Sequence, residues 1–271
     1  MIGVLDSGIG GTTVLKELIK ALPNEKYIYY SDSINNPYGD KDDEEVYNIV
    51  NNIVKFLISK GCKAIVIACN TASAVCVERL RKDYSEMIFI AIEPAYKMVY
   101  DYNFSGKTLV LATKRTIESK KFLKLYDKYN NNKTILKPCV GLAELIEDKK
   151  EAEVDKYLEK NLSKYKNIDN VVLGCTHYPL IKDKIKKVLG NVIFYDGAKG
   201  VSVELKRQLE KHNLLSKGKK EIIFYDSANN ELKKKRFEEI VKLYEWFYLY
   251  IENFLLICYT LNSIEVVIWN Q

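Results

Sequence analysis

Histidine is nearly missing from this 271-residue chain: only His177 and His212 occur. Six cysteines are present, but no two are spaced as CxxC. A structural zinc site needs such pairs or several imidazoles, so no metal is expected. Arginine is scarce, found only at Arg79, Arg81, Arg115, Arg207 and Arg236. Nucleic-acid readers lean on arginine forks and aromatic platforms, whereas here the formal charge of +6 comes almost wholly from lysine. Lysine-rich stretches such as 182–187 and 233–235 read as solvated helix faces. No nucleic-acid partner is expected, while an anionic small molecule is compatible with the charge. The aromatic stretch 243–261 is broken by Glu252 and Asn253 and falls short of the roughly 18 apolar residues of a membrane span. It reads as a packing or oligomer-contact helix without the cationic face of a membrane anchor, so no membrane partner is expected.

The cysteines Cys62, Cys69, Cys76, Cys139, Cys175 and Cys258 are even in number, which invites a disulfide framework. A chain of this length buries enough core to need none. The first residues, Met1-Ile2-Gly3-Val4-Leu5-Asp6, run directly as a strand with no basic leader region. A reducing, cytoplasmic setting is therefore expected.

What the chain has in abundance is alternation. Apolar runs at 2–5, 27–31, 63–68, 88–92, 107–112, 134–137, 170–174, 191–195 and 221–225 are separated by amphipathic stretches. The latter predict helices at 11–22, 42–60, 71–84, 116–130, 140–147, 150–165, 179–189, 199–212 and 230–244. Strands alternating with helices predict an α/β fold with mainly parallel sheet, and ligand groups on loops at the carboxyl ends of the strands. There is an internal echo as well. A strand running into Asp6 precedes a strand ending at Cys69 by 63 positions, and one running into Thr113 precedes a strand ending at Cys175 by 62. Two copies of one βαβ-type unit give that spacing.

Three short stretches carry chemistry. "DSGIGG", residues 6–11, is a glycine-rich strand-to-helix turn. It is either a tight turn or a backbone cradle for an anion, with Asp6 where ligand contacts belong. "ACNTA", residues 68–72, sets Cys69 before a helix that Thr71 could cap, and a helix N-terminus favours thiolate. "GCTHYP", residues 174–179, sets Cys175 two places before His177. A Cys–His pair alone suggests nucleophilic catalysis. A second thiol across the repeat fits two-base proton transfer at carbon instead. Cys62, Cys76, Cys139 and Cys258 read as packing.

Together these stretches resemble the glutamate racemases of the cofactor-independent aspartate/glutamate racemase superfamily. "PYG" at 37–39, "ATKRT" at 112–116 and "GLAELIE" at 141–147 complete the match, in order, over roughly residues 2–242. The resemblance implies two similar Rossmann- or flavodoxin-like parallel-sheet domains related by a pseudo-twofold axis, with the active site in the cleft between them. The first would be 1–95 with a return at 208–244, and the second 96–207; the aromatic tail 245–271 is atypical of the family. It implies an isomerase that interconverts L- and D-glutamate for bacterial cell-wall peptidoglycan, without cofactor, as a homodimer. Cys69 and Cys175 would be the paired acid and base, assisted by Asp6 and His177. Ser7, Pro37, Tyr38, Gly39, Asn70, Thr71, Thr113, Thr116 and Thr176 would contact substrate, and Glu147 would handle protons near Cys175. Rival expectations are the same chemistry on aspartate, or a non-catalytic anion-binding or thiol redox protein.

Overall fold

The computed structural model describes residues 1–242. The chain runs β1 (Ile2–Asp6), α1 (Thr12–Ala21), β2 (Lys26–Ser31), α2 (Asp43–Ser59), β3 (Ala64–Ile67), α3 (Asn70–Asp83) and β4 (Ile88–Ala91). It continues through α4 (Tyr96–Asn103), β5 (Thr108–Ala112), α5 (Lys114–Glu118), α6 (Lys120–Tyr129), β6 (Thr134–Pro138), α7 (Leu142–Glu147) and α8 (Glu151–Leu162). The remainder is β7 (Asn170–Gly174), α9 (Lys182–Leu189), β8 (Ile193–Tyr195), α10 (Ala198–Lys211) and β9 (Glu221–Asp226), then a helical segment at 231–242.

The strands form two all-parallel sheets, ordered β4-β3-β1-β2-β9 and β6-β5-β7-β8. β1 pairs with β2 and β3, so Ile2 lies between Tyr27 and Ala64. β5 pairs likewise with β6 and β7, so Thr108 lies between Thr134 and Asn170. The two sheets thus repeat one strand order, as the echo in the sequence predicts. β1, β3, β5 and β7 are buried throughout. Covered on both faces, they read as continuous apolar runs instead of alternating ones.

Alternate residues of each strand feed opposite cores. In the first sheet Ile2, Val4 and Val66 meet α1, while Leu5, Ile65 and Ile67 meet α2 and α3. In the second, Leu109, Leu111, Val171 and Leu173 meet α7 and α8, while Val110 and Val172 meet α4 and α6. α2 opens on Asp42, which accepts from the Glu45 N–H at 2.8 Å, and three acids follow in its first turn. Both features stabilise a helix N-terminus.

All nine strands among the described residues lie within two residues of the sequence-predicted runs. The helices differ in three places. α4 is unforeseen: it is eight residues long, and only Tyr96 and Val99 of them are buried. The single helix predicted over 116–130 is broken at Ser119, whose extended backbone and side chain, accepting from the Phe122 N–H at 3.1 Å, start a new helix. α10 departs from the expected division at 207: Ala198, Val201, Leu205 and Leu209 pack in the first sheet's core beside Val14 and Leu18. The expected tail, 245–271, lies outside the described residues. Among those described, no helix is long and apolar enough to cross a membrane.

Replacing Leu205, fully buried in the first core, with Ala is expected to cost about 2–5 kcal/mol. Amide exchange should then quicken in β1–β3 more than in β5 and β7. Preferential loss of protection in the second sheet would return α10 to that half.

Candidate active site

Both sheets aim their carboxyl ends at one place. Ser7 follows β1, Cys69 follows β3, Thr113 follows β5 and Cys175 follows β7. Their side chains line one cavity with Pro37, Tyr38, Gly39, Asn70, Thr71, Thr176 and His177. Its free volume is about 40 Å³, room for about three waters. A larger groove of about 750 Å³ adjoins it, sharing Gly39, Asp40 and Lys114 and carrying Arg115, Lys120, Lys121 and Lys124. The groove contains no thiol. Asp40, Asp43, Glu78 and Glu118 line it too, so its charge is mixed, and Arg115 of α5 pairs there with Asp43 of α2.

Cys69 is itself the N-cap residue of α3, and its thiol donates to Ser7 Oγ at 3.7 Å. Thr71, expected as the cap, instead reaches across to the second sheet: its hydroxyl lies 3.0 Å from Thr113 Oγ1. Burial pushes the Cys69 thiol up to about 12, the Asp6 charge adds to this, and the Ala72 N–H and Ser7 oppose it. The thiolate-favouring helix N-terminus expected from sequence is thus outweighed by desolvation. Asn70 is buried on the cavity wall, and its side-chain amide has no protein hydrogen bond at either atom.

Cys175 has different company. Its Sγ is 3.7 Å from His177 Nδ1, and His177 Nε2 is 2.7 Å from Glu147 Oε2. Burial opposes a charged imidazole, but the bonds to Cys175 and Glu147 win, and His177 is held well above its ordinary value. Burial likewise opposes ionised Glu147. His177, Lys233 and the Ile9 N–H overcome it and draw the carboxyl down to about 2. Each thiol therefore has its own neighbour: a neutral hydroxyl beside Cys69, a cationic imidazole beside Cys175.

Asp6 lies beneath the cavity wall, fully buried, accepting from the Gly8 N–H at 2.9 Å and Thr176 Oγ1 at 3.0 Å. Burial raises its carboxyl, while His177 and these donors pull the other way. The glycines of "DSGIGG" serve close approach between the halves. A Cβ on Gly8 would sit 2.6 Å from Glu147 Oε2, and one on Gly10 2.6 Å from His177 Nδ1. The turn's backbone also donates to a protein carboxylate, Ile9 N–H to Glu147 Oε2 at 2.9 Å. The loop is thus a tight turn, and one of its N–H groups holds an anion that the protein itself supplies.

Most of the expected side chains meet at the cavity. Three stand behind it: Asp6, Glu147 and Thr116, whose hydroxyl accepts from Thr113 Oγ1 at 2.9 Å. Thr116, expected as a substrate contact, does not line the cavity but bonds to Thr113, which does. Tyr38 is buried and donates to Asp32 Oδ2 at 2.6 Å. Asp32 was not foreseen, since an acid after a strand is usually a turn residue. Cys139, read as packing, also lines the cavity with Gly141 and Glu144. Lys233, read as solvated surface, lies 2.9 Å from Glu147 Oε1. Among the described residues, no three potential metal ligands cluster, and all five described cysteines are free.

The Asp/Glu/Hydantoin racemase family model matches residues 2–201. A glutamate racemase from Clostridium novyi is 44% identical over 250 residues, 89% of this chain and 94% of the relative. The structure of a glutamate racemase isoform from Bacillus anthracis superposes with a TM-score of 0.76 at 33% identity, covering 91% of this chain and 93% of that one. The Francisella tularensis glutamate racemase, solved with D-glutamate, gives 0.74 at 33% identity over 90% and 92%.

The burial of Cys69 sets a pH expectation. Its thiol pKa is raised, so thiolate should be rare near neutrality and rise steadily with alkali. Alkylation of Cys69 by iodoacetamide, followed by peptide mass spectrometry, should accelerate about tenfold per pH unit from 7 to 9 without levelling. A plateau below pH 8 would contradict the desolvated site.

Proposed function

Since the chain belongs to the Asp/Glu/Hydantoin racemase family, we propose that it interconverts L- and D-glutamate by proton transfer at the α-carbon, independently of any cofactor. The observation that carries this reading is that Cys69 and Cys175 line one cavity, each just past the end of the equivalent strand of its own sheet. The reading takes two units, 1–95 with 198–242 and 96–197, supported by the packing of α10 against the first sheet.

In the reaction, one sulfur as thiolate takes the α-proton and the other, as thiol, delivers a proton to the opposite face. The products are the mirror-image amino acid and the reversed pair of sulfur states, so the site resets by running backwards or by exchange with solvent. His177 exchanges its Nδ1 proton with Cys175. Asp6, behind the wall, lies within electrostatic reach of Cys69 and accepts from Thr176 Oγ1, and it takes up a proton on that side. Asn70, the amide without a protein partner, is free to bind the α-carboxylate, with Ser7, Thr71, Thr113 and Thr176 gripping the remaining polar groups. Pro37, Tyr38 and Gly39 close the wall against water. Positioning and exclusion of water must supply much of the rate, because no delocalising group holds the carbanion. A site of this small volume admits an amino acid only when the halves part, and closure then dries it.

The reading includes supply of D-glutamate for cell-wall peptidoglycan, a cytoplasmic enzyme and a homodimer. Sedimentation equilibrium at micromolar protein should give twice the chain mass, and monomer alone would remove the dimer.

Cys69→Ser and Cys175→Ser should each lower racemisation by at least about 10²-fold in both directions. Loss of the circular-dichroism signal of L-glutamate, and separately of L-aspartate, reads this out. Wild-type rates in either variant would refute the paired-thiol scheme, and faster loss with aspartate would change the substrate.

A further inference from the structure

Glu147 is held by groups from both halves of the molecule. Its Oε2 accepts from His177 Nε2 at 2.7 Å and from the Ile9 N–H at 2.9 Å. Its Oε1 faces Lys233 Nζ at 2.9 Å, with the carboxylate side chain only 2% exposed. Lys233 belongs to the helical segment 231–242, which seats Phe237 and Val241 in the first sheet's core. Arg236, one turn further along, donates to the Ile146 carbonyl at 3.1 Å and to the Glu147 carbonyl. Those carbonyls end α7, where helix carbonyls run out of i+4 partners, and the Ile146 carbonyl also accepts from the Lys149 N–H at 3.2 Å. Arg236 thus clamps the end of α7 to the segment that carries Lys233.

Neither cation lines the cavity. Yet Lys233 stands at the end of a line of contacts, Cys175 Sγ to His177 to Glu147 Oε2 by hydrogen bonds and Glu147 Oε1 to Lys233 Nζ by an ion pair without hydrogen-bond alignment. An exposed ion pair contributes little. A cation on a buried carboxylate that also orients an imidazole acts differently, because the carboxylate's charge is divided between its two neighbours.

We propose that Lys233 is a positioning residue for the reaction, acting on the Cys175 side through Glu147 and His177. Its consequence for turnover rests on the racemase reading; its hold on His177 does not. The groups that face His177 are Glu147 from α7, Cys175 from the end of β7 and, electrostatically, Asp6 from β1, with the neutral Thr176 hydroxyl and Gly10 backbone beside the ring. Lys233 supplies positive charge behind Glu147. Without it, the whole carboxylate charge falls on His177, the Nε2–H···Oε2 bond strengthens, and the imidazolium persists to higher pH. Glu147 also loses the anchor on its second oxygen, so the ring's aim at Cys175 loosens.

With only two histidines, the chain suits ring nitrogen and proton NMR, and His212→Gln assigns the spectrum. Lys233→Met keeps the aliphatic stem and removes the charge. In the free protein it should move the His177 Nε2–H resonance, and any titration midpoint reached should rise by about half a pH unit. Lys233→Arg should restore both, while Lys235→Met, an exposed change on the same segment, should match wild type. In turnover, Lys233→Met should lower kcat roughly tenfold with KM little changed. Unaltered His177 resonances in folded Lys233→Met would overturn the proposal, and Lys233→Gln carries the same test should the Met variant not fold. If the resonances move but the wild type racemises nothing, the racemase reading fails and the hold on His177 stands.

Discussion

The site depends on the burial of one ion pair, Glu147 with His177, at the seam between the two sheets. Neither group could stay charged there alone, since desolvation opposes both. Held 2.7 Å apart, and with the Ile9 N–H and Lys233 completing the carboxylate, they keep each other ionised. The surroundings follow from that requirement. The loop at 8–11 must be glycine-rich because Gly8 and Gly10 press against these two side chains. The segment at 231–242 must return to the seam because the carboxylate's second oxygen needs a cation.

That seam also makes a symmetric fold chemically lopsided. Each sheet ends its third strand in a thiol, and strand order and register are shared. The neighbours are not shared. Cys69 sees the Ser7 hydroxyl with the Asp6 charge behind it, and Cys175 sees an imidazolium. An enzyme serving two mirror-image substrates does not need mirror-image walls. The overall equilibrium between enantiomers is fixed by the amino acid, so the two faces need only pass a proton in both directions.

Much of this was legible in the sequence where a residue acts locally. The strands were plain because buried parallel strands are unbroken apolar runs, and Cys69 and Cys175 announced themselves by standing just past such runs. What stayed hidden depends on contacts between distant segments. Lys233 is one lysine in a run of three, and nothing nearby in sequence marks it as the one that turns inward to Glu147. Thr71 looks like a helix cap until Thr113 is brought 3.0 Å from it. α10 carries a helical stripe that fits either sheet, and only packing assigns it to the first. The elevated Cys69 thiol was likewise beyond reach, since the helix N-terminus is visible in sequence and the depth of burial is not.

The central claim is that two different sulfurs address one carbon from opposite sides. Turnover of protiated L-glutamate in deuterium oxide, followed by mass spectrometry at early times, tests it most directly. Two separate bases predict D-glutamate carrying one solvent deuteron at the α-carbon from the first turnovers, while remaining L-glutamate stays protiated. Product that retains the original proton, or substrate that exchanges as fast as product forms, would mean a single group serving both faces.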